Sequence, residues 1–142
     1  FIQPQVQTTS GTVRLDDVLG DSFTLLAWGT DPSRWLGERG RHFVEKLGVK
    51  IVSAVPLTQM EHERERSDIT IIGDTQGRLK TWFGLQNKAI VLLRPDRFVA
   101  AICTPQELPA TLEAFGKAAS IWHSAGFSTS VSSASRCAFA SR

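Results

Sequence analysis

Apolar residues fall in short runs separated by glycine, proline and charge. Residues 23–28, Phe-Thr-Leu-Leu-Ala-Trp, make a nearly continuous run. That pattern suits a strand covered on both faces. Residues 49–55 and 89–93 repeat it, and 69–72 is a shorter version. Residues 98–103 return after Pro95-Asp96, where proline presets the first central torsion of a tight turn. This predicts an antiparallel hairpin of 89–93 and 98–103. Arg97 stands where glycine often relieves such a turn, so strain or a wider loop is expected there.

Spacings of three and four govern the segments between. Over 32–47, Trp35, Leu36, Phe43, Val44 and Leu47 form one apolar stripe. Asp31 suits the N-cap, Pro32 the first helical position and Gly48 the end. Gly37 and Gly40 each weaken the middle by ~1 kcal/mol relative to alanine, so a bend or fraying is expected. Arg34, Arg39, Arg41, His42 and Lys46 read as a solvated face. A short helix over 78–83 turns Leu79, Trp82 and Phe83 inward and stops at Gly84. Thr104-Pro105-Gln106-Glu107 is a capping box, with regular helix starting near Pro109. Leu108, Leu112, Phe115, Ala119 and Trp122 share one face of this last helix. The four tryptophans read as core.

The remaining segments are polar. Residues 1–12 are an extended linker or edge segment with a turn at 8–11, and 13–15 a short strand. Residues 16–20 make one helical turn, with acids first and glycine last. Residues 57–68 are a charged insertion. Residues 123–142 are rich in serine, with too little apolar surface to pack, and are expected to be a mobile tail.

Strand, helix and strand over 23–55 make a right-handed βαβ unit with parallel strands. The whole order then predicts a thioredoxin-like α/β fold over 13–122, a central mixed sheet flanked by helices. The expected spatial order of the four main strands is 49–55, 23–28, 89–94, 98–103.

Composition changes this picture little. The chain has 142 residues, 42% hydrophobic and 21% charged, ordinary values for one globular domain. A net charge of +2 is too mild to indicate nucleic acid or a membrane surface as partner. The start at Phe1, without methionine or signal peptide, predicts a piece of a longer, cytoplasmic protein.

The candidate chemistry centres on Trp28-Gly29-Thr30-Asp31-Pro32. A thioredoxin-like enzyme carries a thiolate at this strand-to-helix junction, where the helix N-terminus lowers its pKa. No residue here forms a thiolate, and Thr30 is only a poor substitute with no base beside it. Such proteins usually place a cis-proline before the central antiparallel strand; here Ala89 stands in that place, and a trans bond is expected. The junction is therefore expected to be a scaffold element and docking face, with no catalytic residue. Cys103 and Cys137 read as free thiols, Cys103 as a buried small hydrophobe. A bridge between them cannot be argued from spacing. His62, among acids, has no matching spacing with His42 or His123 for a metal. Gly73-Asp74 is like the pair that flavin hydroxylases use near the FAD ribose, but the following residues do not continue that motif. No Gly-x-Gly-x-x-Gly or P-loop is present.

Five segments, in order, carry a family resemblance. They are Phe1-Ile2-Gln3-Pro4-Gln5-Val6, Arg14-Leu15-Asp16-Asp17-Val18-Leu19-Gly20, and Phe23-Thr24-Leu25-Leu26. Next comes Ile72-Gly73-Asp74-x-x-Gly77-x-Leu79-x-x-Trp82-Phe83. The last is Val91-Leu92-Leu93-Arg94-Pro95-Asp96-Arg97-Phe98-Val99-Ala100. Over residues 1 to about 120 the chain resembles the C-terminal region of FAD-dependent aromatic hydroxylases. The strongest resemblance is to the 3-(3-hydroxyphenyl)propionate/3-hydroxycinnamate hydroxylase group. The resemblance implies a parent flavoprotein monooxygenase that uses FAD, NAD(P)H and O2 on a phenolic acid. It implies a thioredoxin-like domain without cofactor, metal or catalytic residues, serving packing, dimerisation or active-site cover. The implied partner is the FAD-binding domain of the same chain, with a homo-oligomer possible and no nucleic acid or membrane. Two other readings stand beside it: a free-standing, redox-inactive binding module, and a peroxiredoxin-like peroxidase dependent on Cys103.

Overall fold

The computed structural model describes residues 1–62 and 69–118. Seven strands form one sheet: β1 (Gln5–Thr8), β2 (Gly11–Arg14), β3 (Thr24–Trp28), β4 (Lys50–Pro56), β5 (Thr70–Asp74), β6 (Ile90–Leu93) and β7 (Val99–Cys103). Their order is β2-β1-β5-β4-β3-β6-β7. The stretch β4-β3-β6-β7 is the order expected from sequence. β3, β4 and β5 are mutually parallel, joined by crossovers, while β6 and β7 return antiparallel.

Two apolar layers explain why β3 reads as a continuous run. Leu25 and Ala27 point into one core, Leu26 into the other. The first core lies under α2 (Gly37–Leu47) and α4 (Leu108–Ala118) and contains Phe43, Leu108 and Leu112. Phe43 is fully buried and meets Phe115 edge-on at 5.8 Å. The second core lies under α1 (Leu15–Leu19) and α3 (Arg78–Gln86), with Leu15, Leu79 and Phe83. Alternate side chains of β3 and β6 thus enter opposite layers, as in a sheet covered on both faces.

Residues 5–14 are strands of this sheet. β1 lies between β2 and β5, with Val6 fully buried, so β2 is the edge. Within 1–12, Val6 is the fully buried member of the second core, and Phe1 and Ile2 pack partly buried against the same cluster.

The helix expected over 32–47 is divided. Pro32–Trp35 is a 3-10 turn, and α2 begins only at Gly37, whose φ is 70°. A left-handed residue shifts the helical register. Leu36 is consequently 3% exposed while Trp35, expected inward, is 39% exposed. Trp28 and Trp82 are half-buried, so none of the described tryptophans is a fully enclosed core residue. Trp122 lies outside the described residues, as do Ala119 and the 123–142 segment.

α3 runs past Gly84, the expected stop, to Asn87, whose φ of 56° makes the left-handed cap. Asparagine tolerates that conformation, and its N–H bonds back to the helix carbonyls. The capping box is present at the last helix: the Thr104 N–H donates to Glu107 Oε1 at 2.9 Å, and the Glu107 N–H to Thr104 Oγ1 at 3.3 Å. Regular helix begins at Leu108, one residue before Pro109.

Candidate functional site

The loop after β3 is held from below. Gly29 turns the chain at φ 73°, and its N–H donates to the Ala54 carbonyl at 2.8 Å. The Ser53 hydroxyl, 4% exposed on β4, donates to the Thr30 carbonyl at 2.9 Å. Asp31 is the predicted N-cap: Oδ1 accepts from the Ser33 N–H at 2.9 Å and the Ser33 hydroxyl at 2.6 Å. A Cβ at Gly29 would meet nothing within 4 Å, so the surface above is open. Its polar groups are hydroxyls, a capping carboxylate and amides, which can bind but offer no soft nucleophile.

Beside this loop lies a groove of about 520 Å3, lined by Trp28, Lys80, Phe83, Lys88, Ala89 and Pro105, among others. Trp28 stacks on Phe83 with ring centres 6.5 Å apart. The Trp28 N–H donates to the Ala89 carbonyl at 2.9 Å. The carbonyl at the cis-proline position is therefore used in the β3–β6 pairing. No described residue follows a cis peptide bond. Lys88 pairs with Glu107 at 3.0 Å across the groove mouth. Glu107 has its pKa lowered, first by the Thr104 backbone N–H and then by Lys88.

Gly73-Asp74 has a structural use. Asp74, 7% exposed, accepts from the Lys80 N–H at 3.0 Å and the Leu79 N–H at 3.4 Å. It caps the first turn of α3 from the end of β5. A Cβ at Gly73 would come within 2.9 Å of Met60 Sδ and 3.1 Å of Leu57 Cδ1. Gly77 enters the helix at φ 73°. The carboxylate faces α3 amides, so these residues do not fit a flavin ribose.

Arg97 is the residue whose use was least visible in the sequence. It takes the left-handed conformation, φ 73°, the strain expected at this turn. Its guanidinium reaches α1: Nε donates to Asp16 Oδ1 at 2.5 Å and Nη2 to the Gly20 carbonyl at 2.6 Å. Nη1 closes its own turn on the Pro95 carbonyl at 2.7 Å. Two of the resemblance segments, separated by about eighty residues of chain, are thus tied together by Arg97 and Asp16. Nothing in the local pattern showed this, because the two motifs stand in the sequence as separate segments. The basic face of α2 is likewise partly paired, since Arg39 bridges to Glu113 of α4.

Cys103 is 3% exposed at the end of β7. Burial pushes its thiol up from 9.0 to about 11, partly offset by a hydrogen bond with Thr111. Because the thiol ionises more readily in the unfolded chain, its burial costs nothing well below pH 9 and lowers stability as pH rises from 9 through 11. The native protein should resist iodoacetamide at Cys103 at pH 8 and react in urea, with peptide mapping separating it from Cys137. Rapid native labelling of Cys103 would contradict the burial argument. Cys137, His123 and the His62 side chain lie outside what is described. Among the described residues no cluster of three or more His, Cys, Asp or Glu could hold a metal. No described helix is long and apolar enough to cross a membrane.

The fold is that of thioredoxin-like proteins. A solved thioredoxin-like protein from Bacteroides caccae superposes with a TM-score of 0.57 at 15% identity, covering 79% of this chain and 47% of that one. A cysteine mutant of peroxiredoxin 6 from Arenicola marina gives 0.55 at 16% identity, covering 84% and 72%. The chain belongs to the HcaD C-terminal domain family, which matches residues 1–118. It is 47% identical over 112 residues to the 3-(3-hydroxy-phenyl)propionate/3-hydroxycinnamic acid hydroxylase of Comamonas testosteroni, covering 78% of this chain and 19% of that protein. The protein of the same name from Paraburkholderia xenovorans is 48% identical over 110 residues, covering 76% and 18%. The chain thus spans about a fifth of the length of the relatives it matches.

Proposed function

We propose that this chain is the non-catalytic C-terminal domain of a flavoprotein monooxygenase. The parent enzyme would hydroxylate a phenolic acid resembling 3-hydroxyphenylpropionate, using FAD, NAD(P)H and O2. The single observation that carries this reading is 47% identity over 112 residues to a hydroxylase of which the match covers 19%. Two structural facts support the division of labour. The thioredoxin-like junction offers no thiolate, and Asp74 is committed to capping α3. The domain's work is then mechanical: packing against the FAD-binding domain of its own chain, dimerisation, or cover for the active site. On this reading the parent is a cytoplasmic protein.

The purified chain should show no flavin absorbance and no substrate-dependent NADH oxidation. The longer chain containing it should be yellow and active. Stoichiometric FAD or turnover in the 142-residue chain would overturn the assignment.

A further inference from the structure

Exposed apolar surface gathers where the chain enters the domain. Phe1 packs edge-on against Trp82 of α3, with ring centres 4.6 Å apart. Its backbone nitrogen lies 3.2 Å from the Arg97 carbonyl at the β6–β7 turn, a contact a peptide N–H makes equally well. The entry strap is therefore pinned between α3 and that hairpin. Leu85, one turn beyond Trp82, is 78% exposed, and Phe98, next to Arg97, is 54% exposed. A groove of about 290 Å3 runs between Ile2, Thr81, Trp82 and Leu85, and its lining is mostly apolar. Gln3 in the same strap buries both amide atoms with no protein hydrogen-bond partner.

We infer that this surface, Ile2, Trp82, Leu85 and Phe98, is the seat of the preceding part of the same parent chain. The inference rests on the proposed function and adds the face that docks. In the relatives about four-fifths of the chain lies outside this domain, and the family is a C-terminal domain. On the proposed function the preceding chain arrives at Phe1, so the surface beside Phe1 is the first it meets. Tethering makes even a modest apolar contact effective, because the partner is held at high local concentration. The Trp28 groove is a poorer seat for the same partner, since two lysines, Lys80 and Lys88, line it, against one cation, Arg78, beside the Trp82 groove.

The test uses the full-length parent protein carrying Leu85→Glu or Phe98→Glu, with Trp35→Glu as a control. Trp35 precedes α2 on the other side of the sheet and is also exposed. A charge forced into an apolar contact should open the junction, so limited proteolysis near Phe1 should speed up by about tenfold in the Leu85 and Phe98 variants and stay unchanged in the control. Hydrogen exchange in α3 should rise in parallel. Wild-type cleavage rates in both variants would overturn the inference. Unchanged cleavage with loss of an oligomer would also overturn it, by assigning the face to a second copy. Flavin content and turnover of the wild-type parent test the proposed function separately. A yellow, active parent with an insensitive junction would sink only the docking face.

Discussion

Arg97→Ala is expected to lower the unfolding free energy of the chain by about 2–3 kcal/mol, a fall in Tm of roughly 8–10 °C. The ion pair with Asp16 alone would not do this. Asp16 is 42% exposed, and exposed pairs contribute about 0–1 kcal/mol. The larger part comes from the 19%-exposed guanidinium bonding the Gly20 and Pro95 carbonyls. Removing it leaves the α1 terminus without its donor and separates the hairpin from the helix. Backbone conformation gives a second readout. At φ 73° a non-glycine residue costs about 1–2 kcal/mol. Arg97→Gly should therefore be more stable than Arg97→Ala by about 1 kcal/mol, although it lacks the same side chain. Arg97→Lys should fall between wild type and alanine, because one ammonium cannot reach all three acceptors. Urea melts of the four proteins decide the matter. If wild type and Arg97→Ala unfold together, the clamp contributes nothing.

Asp74→Ala should cost about 2 kcal/mol, near the upper end for loss of a helix cap, because the site is buried and water cannot replace the carboxylate. The Lys80 amide, bonded at 3.0 Å, should show the greatest gain in hydrogen exchange, and the Leu79 amide, at 3.4 Å, a smaller one. Asp74→Asn keeps one acceptor oxygen and should lose less. Unchanged exchange at both amides in the alanine variant would refute the capping role. The same variants should leave β3 and β4 protected, since the cap acts on α3 alone.

Both predictions concern segments that carry the family resemblance, and both give those segments a mechanical use. Gly73-Asp74-x-x-Gly77-x-Leu79 is a strand end, a helix cap, a left-handed entry and a core leucine in succession. Leu93-Arg94-Pro95-Asp96-Arg97 is a turn whose last residue is strained and then bonded to a distant helix. Motifs of this kind identify a domain through the turns, caps and core contacts they build. For the same reason, the junction at Trp28–Pro32 keeps the thioredoxin-like backbone while its side chains serve the loop itself.

Much of the architecture was legible because the signals are local. The continuous run at 23–28 implies a doubly covered strand. Asp31-Pro32 and Thr104-x-x-Glu107 mark helix starts through side chains that meet backbone amides two or three residues away. Pro95-Asp96 makes a turn within one hairpin. These are decided by torsions and by hydrogen bonds of short range, which a sequence displays directly.

The sequence by itself therefore determined the α/β class, the order β4-β3-β6-β7, the lack of cysteine at the β3 junction and the family. The tertiary structure alone decided where distant groups meet. A single left-handed residue at Gly37 turned Trp35 outward and Leu36 inward. Val6 drew a polar-looking segment into the sheet beside β5. Arg97 found Asp16, Asp74 found α3, and Phe1 settled on Trp82, leaving Leu85 and Phe98 exposed at the chain entry. Each of these outcomes depends on a contact between residues far apart in the chain or on a backbone register set by one torsion. Neither quantity is written in the local pattern of apolar and polar positions.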